Sequence, residues 1–111
     1  MLRLDSVAVR VIVVVDQASA EALLRESAGS TAERFGRLAS RRSLDVASQQ
    51  KGGLIGSFDH VSASDLSDRF GRTVAALVFA LRHAGEVGFA RADNGQYVVV
   101  RAKEVRFKKG S

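Results

Sequence analysis

The spacing of hydrophobic and polar positions changes along the chain, and each change predicts a new element. Residues 7–15 read VAVRVIVVV, a β-branched apolar run typical of a buried central strand, which only Arg10 interrupts. A cation in such a run is costly unless it reaches water, a partner or a site. Two segments with helical spacing follow, SAEALLRES at 19–27 and STAERFGRLASRR at 30–42.

The second half of the chain predicts a brief strand, one long helix and a hairpin. Residues 43–50 fit a short helical turn, and LIGSF at 54–58 fits a short strand. From Ser64 one apolar stripe runs over about five turns, and Gly85 is expected to end that helix. The stripe contains Leu66, Phe70, Val74, Leu77, Val78 and Leu81.

A hairpin is predicted for residues 86–102, because DNG at 93–95 supplies the positive φ angles of a tight turn. The predicted order is β-α-α-(short α)-β-α-β-β. These elements predict one α+β domain with a small, mainly antiparallel sheet.

Composition narrows the chemistry that this domain can support. The 111 residues are enough for one compact domain, and 46% of them are hydrophobic. The chain has no cysteine and only two histidines, so disulfides and thiolate sites are excluded and neither a metal nor a cofactor is expected. The longest apolar run, VIVVV at 11–15, is far shorter than the roughly 20 residues of a membrane span.

A net charge of +5 and a pI of about 10.4 raise the alternative of a nucleic-acid-binding domain. Aromatic residues make up 6% of the chain, and only Phe107 lies within a basic run, so base stacking has little support. The basic residues are interpreted as a solvated helix face and a basic, mobile tail over 104–111. The folded domain is predicted to cover 7–103, and nucleic-acid binding stays a remote alternative.

The segment KGGLIGSF at 51–58 needs an explanation of its three glycines. A phosphate-binding loop leads into a helix N-terminus, whereas this segment leads into a strand-like stretch and then DHVSAS. The nucleotide interpretation therefore fails on context. A bulge or a tight strand entry explains the glycines without any function.

Read together with its neighbours, FGRLASRRSLDVASQQKGGLIGSF at 35–58 resembles the parvulin-type peptidyl-prolyl isomerases. In that family a helix ending in F..LA runs through SDD or SDC to GGDLGWF. FALRHAGEV at 79–87 is similar to the family's FALKPGEV with one added residue, and NGQYVVV at 94–100 to its FGYHIIK. The first strand is similar to the family's ASHILVKDEETAEEL with a one-residue slip. The resemblance covers residues 7–102 and implies a four-stranded antiparallel sheet flanked by helices.

The resemblance also implies a site for the proline ring of a substrate. The apolar socket falls on Ile55, Phe70 and Val74, with Phe58 and Asn94 as further substrate-binding positions. Helical periodicity alone explains Phe70 and Val74 equally well as core residues.

The polar positions implied by the resemblance are changed in this chain. The family's two strand histidines, neighbours across the sheet, correspond to Arg10 and Tyr97, whereas its acidic or thiol position is kept as Asp45. An Arg10–Asp45–Tyr97 network is the predicted catalytic cluster, with Arg10 as a fixed donor. The alternative is a structural hydrogen-bond cluster without catalysis.

Two functions therefore compete at this stage. The first is a peptidyl-prolyl isomerase or foldase domain that acts on X-Pro bonds of extended or unfolded polypeptide. The second is a non-catalytic parvulin-like chaperone module that binds unfolded polypeptide. In either case the expected partner is a proline-containing peptide or an unfolded chain, and the domain is expected to be a monomeric part of a larger protein. The resemblance alone suggests the bacterial cell envelope.

Overall fold

The structure is a computed structural model that describes residues 2–29, 31–50, 52–55, 63–81, 83 and 85–109. Eight helices and strands lie within these ranges. In chain order they are β1 (Leu2–Val14), α1 (Gln17–Ser27), α2 (Ala32–Arg42), α3 (Val46–Gln49), α4 (Ala63–Phe70), α5 (Arg72–Ala80), β2 (Val87–Arg91) and β3 (Tyr97–Lys109). The predicted α+β architecture is confirmed. Among the helices of these ranges, none has the length and apolarity needed to cross a membrane.

The sheet has the strand order β1-β3-β2, and both pairings are antiparallel. The pairing of β1 with β3 runs from Val14 opposite Tyr97 to Leu2 opposite Lys109. Residues 104–109, predicted to lie in a tail, are therefore part of a strand, because each of them has a partner in the first half of β1. The mobility of residues 104–111 stays a prediction.

The outer edge of β1 is covered by a short segment rather than by a regular strand. Gly53 O accepts a hydrogen bond from Val11 N at 2.7 Å, and Leu54 forms an isolated antiparallel bridge with Arg10. The described residues thus contain three strands and one bridge where four strands were predicted. Residues 56–58 of the predicted strand lie outside the described residues.

Helices pack on both faces of the sheet, because alternate side chains of its central strands point in opposite directions. One face carries α4 and α5. Its apolar core includes Val9, Val11, Val13, Val98 and Val100 from the sheet and Leu66, Phe70, Val74 and Val78 from the helices. The opposite face carries α1 and α2. Its core includes Ile12, Val14 and Val99 from the sheet and Ala20, Leu23, Phe35 and Leu38 from the helices.

The helix predicted to run from Ser64 to Gly85 is two helices. It breaks at Gly71, whose φ of 102° is incompatible with a continuous helix, and α5 ends at Ala80. The break lies against the β2–β3 turn, where Asp93 N donates to Phe70 O at 3.1 Å. A Cβ atom at Gly71 would also overlap the Asp93 carboxylate, the end of an exposed side chain that would have to move aside.

The candidate proline-binding site

Three of the predicted substrate-binding side chains belong to the same apolar core, a cluster of fourteen buried residues on the α4/α5 face. Ile55 reaches this cluster from the edge of β1, where its backbone N–H donates to Val9 O at 3.1 Å. Phe70 is the last residue of α4, and Val74 lies in the first turn of α5. We call Ile55, Phe70 and Val74 the socket cluster.

The socket cluster is closed in this structure. The exposed fractions of Ile55, Phe70 and Val74 are 5%, 8% and 0%. A proline ring can therefore contact all three side chains only after some of them move apart. The interpretation of Phe70 and Val74 as core residues agrees with the same burial.

Asp45 begins the short helix α3 as its N-cap. One carboxylate oxygen, Oδ2, accepts from Ser48 N at 3.3 Å and also from the Ser48 hydroxyl. Such a cap satisfies a backbone donor that has no partner within the helix. The same oxygen accepts from Arg69 Nη2 at 2.6 Å, so Asp45 joins α3 to α4.

The charge state of Asp45 follows from these contacts. Partial burial by itself would raise the pKa of this carboxyl group. The hydrogen bonds from Ser48 and the hydrogen-bonded ion pair with Arg69 outweigh that effect, so the pKa of Asp45 is lowered from its ordinary value of 3.8. Asp45 is therefore an anion at neutral pH and can accept hydrogen bonds but not donate them.

Arg69 is a site residue that the sequence analysis missed. Its guanidinium carbon lies 5.3 Å from the centroid of the Phe70 ring, so the cation stands next to the socket cluster while it pairs with Asp45. The side chain keeps 36% of its surface exposed, which leaves its remaining N–H donors within reach of a ligand. The ion pair joins residues that lie 24 positions apart in the sequence, and the spacing of neighbouring residues does not predict such a contact.

The predicted Arg10–Asp45–Tyr97 network is wrong as a geometric cluster. Arg10 lies opposite Arg101 in the sheet, whereas Tyr97 lies opposite Val14, four residues further along β1 and about 13 Å away at the rise of a strand. Neither residue is a hydrogen-bond partner of Asp45, which binds Ser48 and Arg69 instead.

Both strand residues belong to the α1/α2 face instead of the socket face. Arg10 Nη1 donates to Gly52 O at 2.9 Å, and the Tyr97 ring packs against Phe89 with a centroid distance of 6.2 Å. The physical reason is strand alternation: a shift of one residue in the first strand moves a side chain to the other face of the sheet. The neighbours Val9 and Val11 do face the socket cluster.

Of the two remaining predicted substrate-binding residues, Asn94 and Phe58, the structure describes only Asn94. Asn94 is exposed in the β2–β3 turn, where its amide nitrogen donates to Gln96 Oε1 at 3.0 Å. The same turn is bonded to Phe70 through Asp93, so Asn94 lies in the loop next to the socket cluster. Phe58 lies outside the described residues.

Comparison with known proteins gives a sequence result and a structural result. No family model matches the sequence, and no curated protein matches it significantly. Solved structures do match. The peptidylprolyl isomerase PrsA of Bacillus anthracis superposes with a TM-score of 0.73 at 19% identity over 97% of this chain. A SurA-like chaperone of Campylobacter jejuni superposes with a TM-score of 0.75 at 20% identity over 99% of this chain.

The lengths of the matched proteins fall into two groups. This chain spans 45% of the Bacillus protein and 43% of the Campylobacter protein. It spans 93% of Pin from the archaeon Cenarchaeum symbiosum, with a TM-score of 0.67 at 25% identity.

The chain has the parvulin-type fold of peptidyl-prolyl isomerases. Its structural neighbours include a foldase, a SurA-like chaperone and an archaeal Pin protein, each of which contains this fold.

Proposed function

We propose that this chain is a parvulin-like foldase domain that binds proline-containing segments of extended or unfolded polypeptide and accelerates cis/trans exchange of their X-Pro bonds. One observation carries the proposal. In a parvulin-type fold, Ile55, Phe70 and Val74 are members of one apolar core, and the Asp45–Arg69 pair lies next to Phe70 at its edge.

The reaction needs no covalent chemistry. Rotation about the C–N bond is opposed by a barrier of about 18–20 kcal/mol, because resonance gives that bond partial double-bond character. An apolar socket holds the proline ring and removes water, and a well-placed donor stabilises the twisted amide more than the planar one. Arg69 supplies that donor, and the Asp45 carboxylate holds its guanidinium in place.

The positions of Arg10 and Tyr97 favour a second candidate function, a chaperone module that binds polypeptide without catalysis. Arg10 and Tyr97 lie on the opposite face of the sheet from the socket cluster. The polar groups that the family resemblance places beneath the groove are therefore not gathered there. A module that captures unfolded polypeptide without catalysing exchange needs only the socket cluster.

The length comparison supports a role as one domain of a larger protein. This chain covers less than half of the foldase and chaperone chains that it matches, but almost all of the Pin protein. We infer a monomeric domain whose substrate is another polypeptide.

The test is an exchange-NMR measurement of cis/trans interconversion in a short X-Pro peptide, which needs no coupled protease. The variants Asp45→Ala and Arg69→Gln are each expected to lower the catalysed rate about tenfold to a hundredfold. Arg69→Gln removes the guanidinium donor, and Asp45→Ala removes the carboxylate that holds it in place. Tyr97→Phe is the matched control. It removes one polar group on the opposite face and is expected to keep the wild-type rate.

The outcomes separate the two candidates. Catalysis that depends on Asp45 and Arg69 but not on Tyr97 supports the foldase. Suppression of client aggregation without any exchange supports the binding module. A protein that does neither contradicts the proposal.

A further inference from the structure

We infer that the α1/α2 face carries a second site, a cationic pocket that binds a phosphate-class oxyanion. The pocket has a volume of about 420 Å³ and lies between α2, the middle of β1 and the turn at Gly52. Its lining consists of Arg10, Ala32, Glu33, Gly36, Arg37, Ser40, Arg41 and Gly52.

The floor of this pocket is built around Arg10. Arg10 interrupts the otherwise apolar run 7–15, and its Nη1 atom donates to Gly52 O at 2.9 Å. A Cβ atom at Gly36 would lie 3.5 Å from Nη1, and one at Gly52 would lie 2.9 Å from it. The guanidinium therefore rests between two residues that have no side chain, and the carbonyl of Gly52 fixes its position.

The wall of the pocket is a stripe on α2. Glu33, Arg37 and Arg41 follow one another at intervals of four residues, so they lie along one side of the helix. Ala32, Gly36 and Ser40 form the neighbouring stripe, and these small residues leave room between the arginines and the sheet.

The charges of the wall are available to a ligand. Arg37 and Arg41 are exposed, and neither forms an ion pair with a carboxylate of the described residues. Three arginines and one glutamate line the pocket, so the formal charge of its lining is +2. An exposed cationic pocket with a fixed guanidinium at its base selects anions.

The arrangement favours a phosphate group over a carboxylate. A carboxylate has two oxygens and pairs with one guanidinium at a time in the bidentate geometry. A phosphate monoester presents three charged oxygens and can accept from several guanidinium groups. The volume lies at the lower end of the range for small-molecule sites, which leaves space for a group beyond the phosphate itself.

This site is independent of the proposed isomerase function. Arg10 belongs to the α1/α2 face, whereas the socket cluster belongs to the α4/α5 face of the same sheet. A substitution that abolishes anion binding at the cationic pocket is therefore expected to leave peptide binding at the socket cluster intact.

The test is a titration of the ¹⁵N-labelled protein with inorganic phosphate and with pyrophosphate, with sodium acetate and sodium chloride at equal ionic strength as comparison arms. We expect saturable amide shifts at Gly36 and Gly52 and a shift of the Arg10 Nε–H signal with the two phosphates. Acetate and chloride are expected to give neither. Equal, non-saturating shifts with all four salts would overturn the inference, because they would show only screening of surface charge.

Substitutions make the test specific. Arg37→Gln and Arg41→Gln are expected to weaken phosphate binding about tenfold each, since each removes a charge-assisted hydrogen bond. Both side chains are exposed, so the fold is not at risk. Arg72→Gln is the matched control: it removes the same charge from the exposed surface of α5, on the other face of the sheet. Equal weakening by Arg72→Gln would contradict a localised site.

Discussion

At the scale of single residues, Asp45 combines two contacts that substitution can separate. Its carboxylate caps α3 through Ser48 and pairs with Arg69 of α4. Capping needs only a side-chain oxygen, whereas the ion pair needs the charge. An asparagine at this position keeps the first contact and loses the second.

We predict that Asp45→Ala lowers the free energy of unfolding by about 1–2 kcal/mol, because both contacts are lost. Asp45→Asn is expected to lower it by less than about 1 kcal/mol, since the amide oxygen still caps the helix. Urea denaturation of both variants measures the difference. Equal losses would show that the cap does not contribute to stability.

The ion pair also predicts a pH dependence. The folded pKa of Asp45 lies below the unfolded value of 3.8, so the unfolded state binds the proton first as the pH falls. The stabilisation from the pair is therefore complete above about pH 5 and is lost as the pH falls through 3.8 and then through the lower folded pKa.

Arg69→Gln is expected to reduce stability by up to about 1 kcal/mol near pH 7, a modest value because both side chains are partly exposed. This difference from wild type should shrink as the pH falls below 3.8 and vanish below the folded pKa of Asp45, where the carboxyl group is protonated in both states. Arg72→Gln controls for the loss of one positive charge. A deficit for Arg69→Gln that persists unchanged in acid would mean that the pair does not cause it.

The sequence predicts where the apolar residues of the socket cluster lie better than it predicts which polar residues lie near them. Phe70 and Val74 occupy helix positions where periodicity and the family resemblance agree, Ile55 is placed by the resemblance, and all three are buried. Arg10 and Tyr97 were matched one by one to the family's strand histidines. In a strand, an alignment error of one residue moves the side chain to the opposite face of the sheet. Arg69 could not be found at all, because its role depends on a contact with Asp45 across 24 residues.

At the scale of elements, the broken helix shows what a periodic pattern does not contain. The apolar stripe from Leu66 to Leu81 continues across Gly71 without a change of phase. An isolated glycine within a helix is destabilising by only about 1 kcal/mol, so the pattern does not predict a break there. The break depends on the approach of Asp93 from the β2–β3 turn.

We predict that Gly71→Ala destabilises the fold by about 1–2 kcal/mol, because alanine is strained at this φ, whereas the exposed Asp93 carboxylate that its methyl group would meet can move aside. Gly29→Ala is the matched control. Gly29 also has a positive φ, but a Cβ atom there would meet nothing within 4 Å, so we expect a loss of about 1–2 kcal/mol. Thermal unfolding of both variants checks this expectation, and a much larger loss for Gly71→Ala than for Gly29→Ala would contradict it, because the contact with Asp93 would then cost more than the strained φ.

The end of β3 is a second element that the sequence pattern did not predict. The last residues of the chain are rich in lysine and arginine, which is typical of a solvated tail. The structure pairs residues 104–109 with the first half of β1, because backbone pairing between strands does not depend on the charge of the side chains. The central hairpin, in contrast, was predictable from its DNG turn, and Gly95 adopts the expected positive φ of 89°.

At the scale of the whole molecule, one sheet separates the two surfaces to which we assign a function. The α4/α5 face holds the socket cluster and the Asp45–Arg69 pair, and the α1/α2 face holds the cationic pocket around Arg10. Both surfaces meet at the outer edge of β1, where Gly52 lines the pocket and Ile55 enters the socket cluster. A ligand at either surface would therefore contact the segment 52–55, which is hydrogen-bonded to β1.

The central claim is that the socket cluster opens to receive a proline ring. Titration of the ¹⁵N-labelled protein with a short proline-containing peptide, followed by backbone amide shifts, tests it most directly. We expect saturable shifts at Ile55, Phe70, Val74 and Asp45, and none when alanine replaces the proline of the peptide. Shifts confined to the basic residues 101–109, or identical shifts with the alanine peptide, would contradict the account.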